Sequence, residues 1–86
     1  MAKHVLKSWN EVFDPLLSGE KNFDVRRDDR DFQRGDELEL HEYDPELHQY
    51  SGRIFRCRVT HVLRGASAVR FGLQPGYCVC GLLTGP

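Results

Sequence analysis

The chain has 86 residues, twelve Lys and Arg against thirteen Asp and Glu for a net charge of −1, and 40% apolar residues. That length makes one small domain, able to bury only about 60% of the surface its unfolded chain exposes, and it excludes a second core. There is no 18-residue apolar run and no basic-plus-apolar leader, and the three cysteines are an odd number unlike a disulfide framework, so we expect a soluble cytoplasmic protein.

In chain order, residues 4–6 predict a short first strand. Ser8 followed by Glu11 is a capping-box pattern, and Trp9, Val12, Phe13, Leu16 and Leu17 recur at helical spacing, which predicts a helix to about Ser18. Pro15 predicts a break near Asp14, and Gly19 is the expected stop. A strand over 21–27 follows. Its alternation points Phe23 and Val25 to the core and turns Lys21, Asp24 and Arg26 elsewhere, toward a ligand or solvent. The charged run 28–31 reads as a turn, with Phe32 tucking it onto the body.

Gly35-Asp36 leads into the clearest strand, 37–43, with Leu38 and Leu40 on one face. Residues 44–52 read as a loop and 53–63 as a long strand with Phe55, Cys57, Val59 and Leu63 inward. Residues 65–76 hold a short helical turn, and 77–83 form a near-continuous apolar last strand. The expected fold is α+β: a small mixed β-barrel of about five strands, with one N-terminal helix and a short helical turn before the last strand. Closure would hide its sheet edges.

Charge is unevenly distributed. Residues 1–50 carry all thirteen acids with seven Lys and Arg, whereas 51–86 carry five arginines and no acid. If those arginines share a face they suit an anionic partner such as RNA; if the two halves interleave, they neutralise each other.

The pattern Gly19-x-Lys21-x-x-Asp24-x-Arg26 resembles the signature of the activating signal cointegrator homology (ASCH) family, Gly-x-Lys-x-x-Glu-x-Arg after the first helix. His4-x-Leu6-Lys7, Asp29-Arg30-x-Phe32, Gly35-Asp36 and Tyr50-Ser51-Gly52-Arg53 match, in order, a small branch of that family with no assigned function. The resemblance covers most of the chain and implies a single ASCH domain over 1–86 with the PUA-like barrel. It also implies RNA binding, or the ribonuclease or acetylated-cytidine amidohydrolase activity of some members. Two departures stand out. The family Glu is here Asp24, about 1.5 Å shorter in reach. The amidohydrolases carry Thr there and a further Glu on an insertion before the last strand, whereas 65–76 contains no acid.

Lys21 can place a charge on a phosphate or carbonyl, or polarise a scissile group with Asp24 as acid or base, should the protein be an enzyme. Asp24 and Arg26, at i and i+2, can pair and hold a planar base or a ribose hydroxyl. Arg30 and Arg53 can reach phosphate from a rim, or bridge to the acids of 28–31, and Tyr50 can stack on a base or anchor its loop. Arg27 should face the other way. Cys78-x-Cys80 in an apolar strand lacks the turn of a zinc knuckle, and His41, His48 and His61 fit no ligand spacing, so neither metal nor cofactor is expected. The expected function is an RNA- or nucleotide-binding module with no membrane contact. The alternatives are a hydrolase on RNA or a modified nucleoside such as N4-acetylcytidine, and a small protein-interaction module.

Overall fold

A computed structural model describes residues 1–84 and orders the elements as β1 (Lys3–Trp9), α1 (Asn10–Ser18), β2 (Phe23–Arg27), β3 (Glu37–Asp44), β4 (Gln49–Leu63), α2 (Gly65–Arg70) and β5 (Tyr77–Leu83). The strands form one mixed sheet in the order β1-β3-β4-β5-β2. β1 runs parallel to β3, and every other pairing is antiparallel. Instead of closing into a barrel, the sheet is open: β1 and β2 are its two edges and are not bonded to each other.

One face of the sheet and the inner stripe of α1 make the core. Leu6, Phe13, Leu16, Phe32, Leu38, Leu40, Cys57, Val59, Cys78, Cys80 and Leu82 pack together there. Phe13 and Phe32, both fully buried, contribute about 2–3 kcal/mol each by leaving water. Alternation in β3 buries Leu38 and Leu40 as the sequence predicts, whereas β5, read as a near-continuous apolar strand, alternates: Cys78, Cys80 and Leu82 are buried and Leu83 is exposed.

Several expectations are corrected. Ser8 does not cap the helix. It is the buried partner of Glu42 in the β1–β3 ladder, α1 begins at Asn10, and its capping residue, Trp9, offers no side-chain hydrogen bond. Pro15 does not break α1, which runs on to Gly19, where a left-handed φ of 85° ends it at little cost to glycine. The predicted loop 44–52 shortens to a turn at 45–48, because His48 takes a left-handed φ of 52° and β4 starts at Gln49. The most consequential correction is in β2. Phe23 and Val25 are exposed, at 43% and 48%, while Asp24 is buried, at 4%; the strand sits the other way up, with the paired Asp24 and Arg26 beside the core cysteines Cys80 and Cys78 at the wall of a cleft.

Candidate functional site

The open seam between the two edge strands holds a cleft of about 520 Å³, within the range of small-molecule sites. Lys7, Ser8 and Trp9 at the end of β1, with Glu11 and Val12 at the start of α1, form one side. Lys21, Asp24, Val25 and Arg26 form the other, and Tyr77 adds an aromatic ring from β5.

Local structure fixes the charged residues. The Lys21 amide donates to the Pro15 carbonyl at 3.0 Å, which ties this residue to the C-terminal end of α1. Its ammonium donates to the Phe23 carbonyl at 2.7 Å, lies 4.8 Å from the centre of the Phe23 ring, and stands 3.7 Å from Asp24 Oδ1. Asp24 pairs in register with Cys80 and Arg26 with Cys78, so both side chains point inward from β2. Arg26 Nε donates to Asp24 Oδ2. The terminal guanidinium nitrogens of Arg26 make no hydrogen bond to another described residue, and they remain available to a ligand.

Burial decides the worth of this cluster. The Asp24 side chain is 6% exposed and those of Lys21 and Arg26 are each 17% exposed, so the two cations offset the desolvation of the acid. Lys7 adds little charge inside, because its ammonium sits 4.0 Å above the Tyr43 ring. Lys21 and Arg26 are therefore balanced by Asp24 and Glu11, and the cleft combines a nearly neutral set of charges with the apolar surface of Trp9, Val12, Val25 and Tyr77.

Of the expected site residues, Lys21, Asp24 and Arg26 are brought together, and Arg30, Tyr50 and Arg53 lie apart from them. Arg53 is a latch: its guanidinium donates to both oxygens of Glu42 at 2.8 and 2.7 Å, stands 2.9 Å from Asp14 Oδ1 and covers the Phe13 ring. Arg53 first, then Ser51, hold the Glu42 carboxyl at about 2 against the upward push of burial. Tyr50 packs edge-on to Tyr43 and His41, and Arg30 makes an exposed contact with Asp29 at 4.0 Å. That contact is the expected alternative for Arg30, a bridge to an acid of 28–31, whereas Arg53 makes none; Asp28 is held by Arg64, which donates to both of its oxygens and to the Phe32 carbonyl. Arg27 is exposed as expected, beside the Tyr77 ring.

The acid-free second half forms no basic face from these residues. Arg53, Arg56 and Arg64 each pair with an acid of the first half, namely Glu42, Glu39 and Asp28, and Arg58 donates to the Gly35 carbonyl. Nor are the cysteines reactive. Burial raises Cys57 to about 11 and Cys80 to about 12, and pushes Cys78 up as well, so all stay protonated at neutral pH. Among the described residues no cluster of His, Cys, Asp and Glu is placed to hold a metal, and no helix is long and apolar enough to cross a membrane.

The sequence reading missed Ser8, Trp9, Glu11 and Tyr77 as cleft residues. Trp9 and Glu11 had been accounted for by helix periodicity and capping, and no spacing signal links β1 to β2 across an unbonded seam.

Comparison with known proteins gives a family. A family model for a domain of unknown function, DUF3850, matches residues 3–82. An uncharacterized 12.9 kDa protein in the GpA 3′ region of Escherichia phage P2 is 40% identical over 63 residues, which cover 72% of this chain and 56% of the phage protein. The chain thus spans little more than half the length of that relative. The match over nearly all of its residues shows that the chain belongs to the DUF3850 family.

Proposed function

We propose that this DUF3850 domain binds a nucleotide-like small molecule in the seam cleft, with Lys21, Asp24 and Arg26 gripping its polar edge and Trp9 and Tyr77 flanking its ring. The observation that carries this reading is the unused donor capacity of Arg26: a partly buried guanidinium pinned by one nitrogen to Asp24, on the lining of a cavity of ligand size. The resemblance of Gly19-x-Lys21-x-x-Asp24-x-Arg26 to the ASCH signature supports it. The near-neutral balance of the cleft and the pairing of Arg53, Arg56 and Arg64 favour a nucleoside or mononucleotide over a long RNA backbone, which needs a continuous basic track.

Trp9 is the sole tryptophan of the chain and lines the cleft, so its fluorescence reports occupancy directly. Titration with nucleosides and nucleoside monophosphates should change that emission, and Lys21→Ala should weaken binding about tenfold while the fold is retained. Absence of any response at millimolar ligand would overturn the proposal. A response confined to oligoribonucleotides and abolished by salt would move the reading to RNA. The hydrolase alternative has less support, because Asp24 already accepts from Arg26 and α2 brings no acid to the cleft. Turnover of an N-acylated nucleoside that Lys21→Ala abolishes would revive it.

A further inference from the structure

β2 is a short sheet edge of five residues guarded only by charge: Asp24 and Arg26 point inward and Arg27 lies beside the open backbone groups, as Lys3 and Lys7 do on the opposite edge, β1. Residues 23–27 contain no proline or glycine, and their pairing with β5 has no bulge. The ladder to β5 determines which groups of β2 are left over. Leu82 N donates to Asn22 O and Asp28 N to Gly76 O, so the even-numbered residues exchange bonds with β5. By the alternation of antiparallel pairs, Phe23, Val25 and Arg27 turn their N–H and C=O groups to the open edge.

We propose that β2 is a self-recognition edge, through which two copies of this chain pair antiparallel about a twofold axis at Val25. Each outward-facing residue then exchanges both backbone bonds with its counterpart: Val25 with Val25 of the second copy, and Phe23 with Arg27 of the second copy. The side chains suit this register. On the exposed face Val25 meets Val25 and the Phe23 ring meets the Arg27 guanidinium, while on the inner face Asp24 lies opposite Arg26 in both directions. The segment Phe23-Asp24-Val25-Arg26-Arg27 is therefore complementary to its own reverse. An axis at Asp24, Arg26 or Arg27 sets like charges opposite each other, and one at Phe23 leaves most of the strand unpaired. The open edge of β2 borders the seam cleft, so a second copy seated on it competes with a ligand there; the test therefore uses no ligand and stands whether or not the cleft binds one.

Sedimentation of the purified chain up to roughly 500 µM, a concentration that populates even a weak contact, should show a concentration-dependent dimer. Val25→Pro removes an N–H that β5 does not use, so the chain should stay folded and become monomeric. Val25→Lys, which sets two ammonium groups across the axis, should do the same and covers the case in which the proline variant unfolds. A chain that remains monomeric throughout the range, or a dimer that survives Val25→Lys, overturns the proposal; the monomer would leave the edge to a different strand.

Discussion

Glu42 with Arg53 and Asp24 with Arg26 are built from the same two functional groups on the same sheet, yet they end in different states. Arg53 engages both oxygens of Glu42 and reaches Asp14, while Ser51 Oγ donates to Glu42 as well, so the carboxylate is surrounded by donors. Asp24 receives one arginine nitrogen and a more distant lysine, and the rest of the Arg26 guanidinium faces an opening. The first pair joins β3, β4 and α1; the second keeps capacity for something that is not protein. An acid–arginine pair marks a site when its bonding is incomplete on the side of a void.

The largest effect should come from breaking the complete pair. Glu42→Ala strips Arg53 and Ser51 of their shared acceptor and should lower Tm by roughly 5–10 °C, discounted for the half-exposed guanidinium, with no direct effect on ligand affinity. Thermal melts beside a Trp9 titration would check both halves. A loss of affinity as large as that of Lys21→Ala would erase the contrast between the two pairs.

Acid should act next. Glu42, Glu39 and Asp36 all sit near 2 in the folded chain: Glu42 mainly through Arg53, Glu39 through His41 and then Lys3, and Asp36 because its bonds to His4 and the amides of Ala2 and Gln33 outweigh burial. Their folded values lie below the ordinary 4.5 of Glu and 3.8 of Asp, so they contribute stability at neutral pH that is lost as pH falls from about 4.5 toward 2. Tm should be level between pH 6 and 8 and drop through that acid window, less steeply in Glu42→Gln. A decline that begins above pH 6 would point to other groups.

The smallest effect on stability, and the sharpest on function, should be that of Arg26→Lys. It keeps the cation beside Asp24 but removes the forked donors, so Tm should move by only about 2 °C while affinity falls about tenfold. Equal affinity would mean that the guanidinium supplies charge alone.

How much of this was legible in the sequence depends on what each residue answers to. Leu38 and Leu40 face one apolar core, so period-two alternation read them correctly, and Gly19 ended its helix because a left-handed φ favours glycine. Phe23 and Val25 were read inside out. The rule that apolar residues face inward does not allow for an ion pair, and in β2 the inward positions are taken by Asp24 and Arg26, which satisfy each other at the wall of the cleft. Ser8-x-x-Glu11 looked like a cap because local patterns carry no record of the Glu42 strand that claims Ser8. Arg64 was passed over for a similar reason: its partner, Asp28, is far along the chain and comes near only once β5 has seated β2.

The register of the sheet also sets an order of assembly. β3 and β4 meet through a tight turn and can zip as soon as both are made, but β2 has to wait for β5, since Phe23 pairs with Gly81. On the ribosome, residues 23–27 emerge early and stay without their strand partner until almost the whole domain has been synthesised. During that interval the Phe23–Arg27 segment lacks its strand partner, and its two arginines and one aspartate are charges of the kind that oppose premature pairing of an exposed apolar stretch.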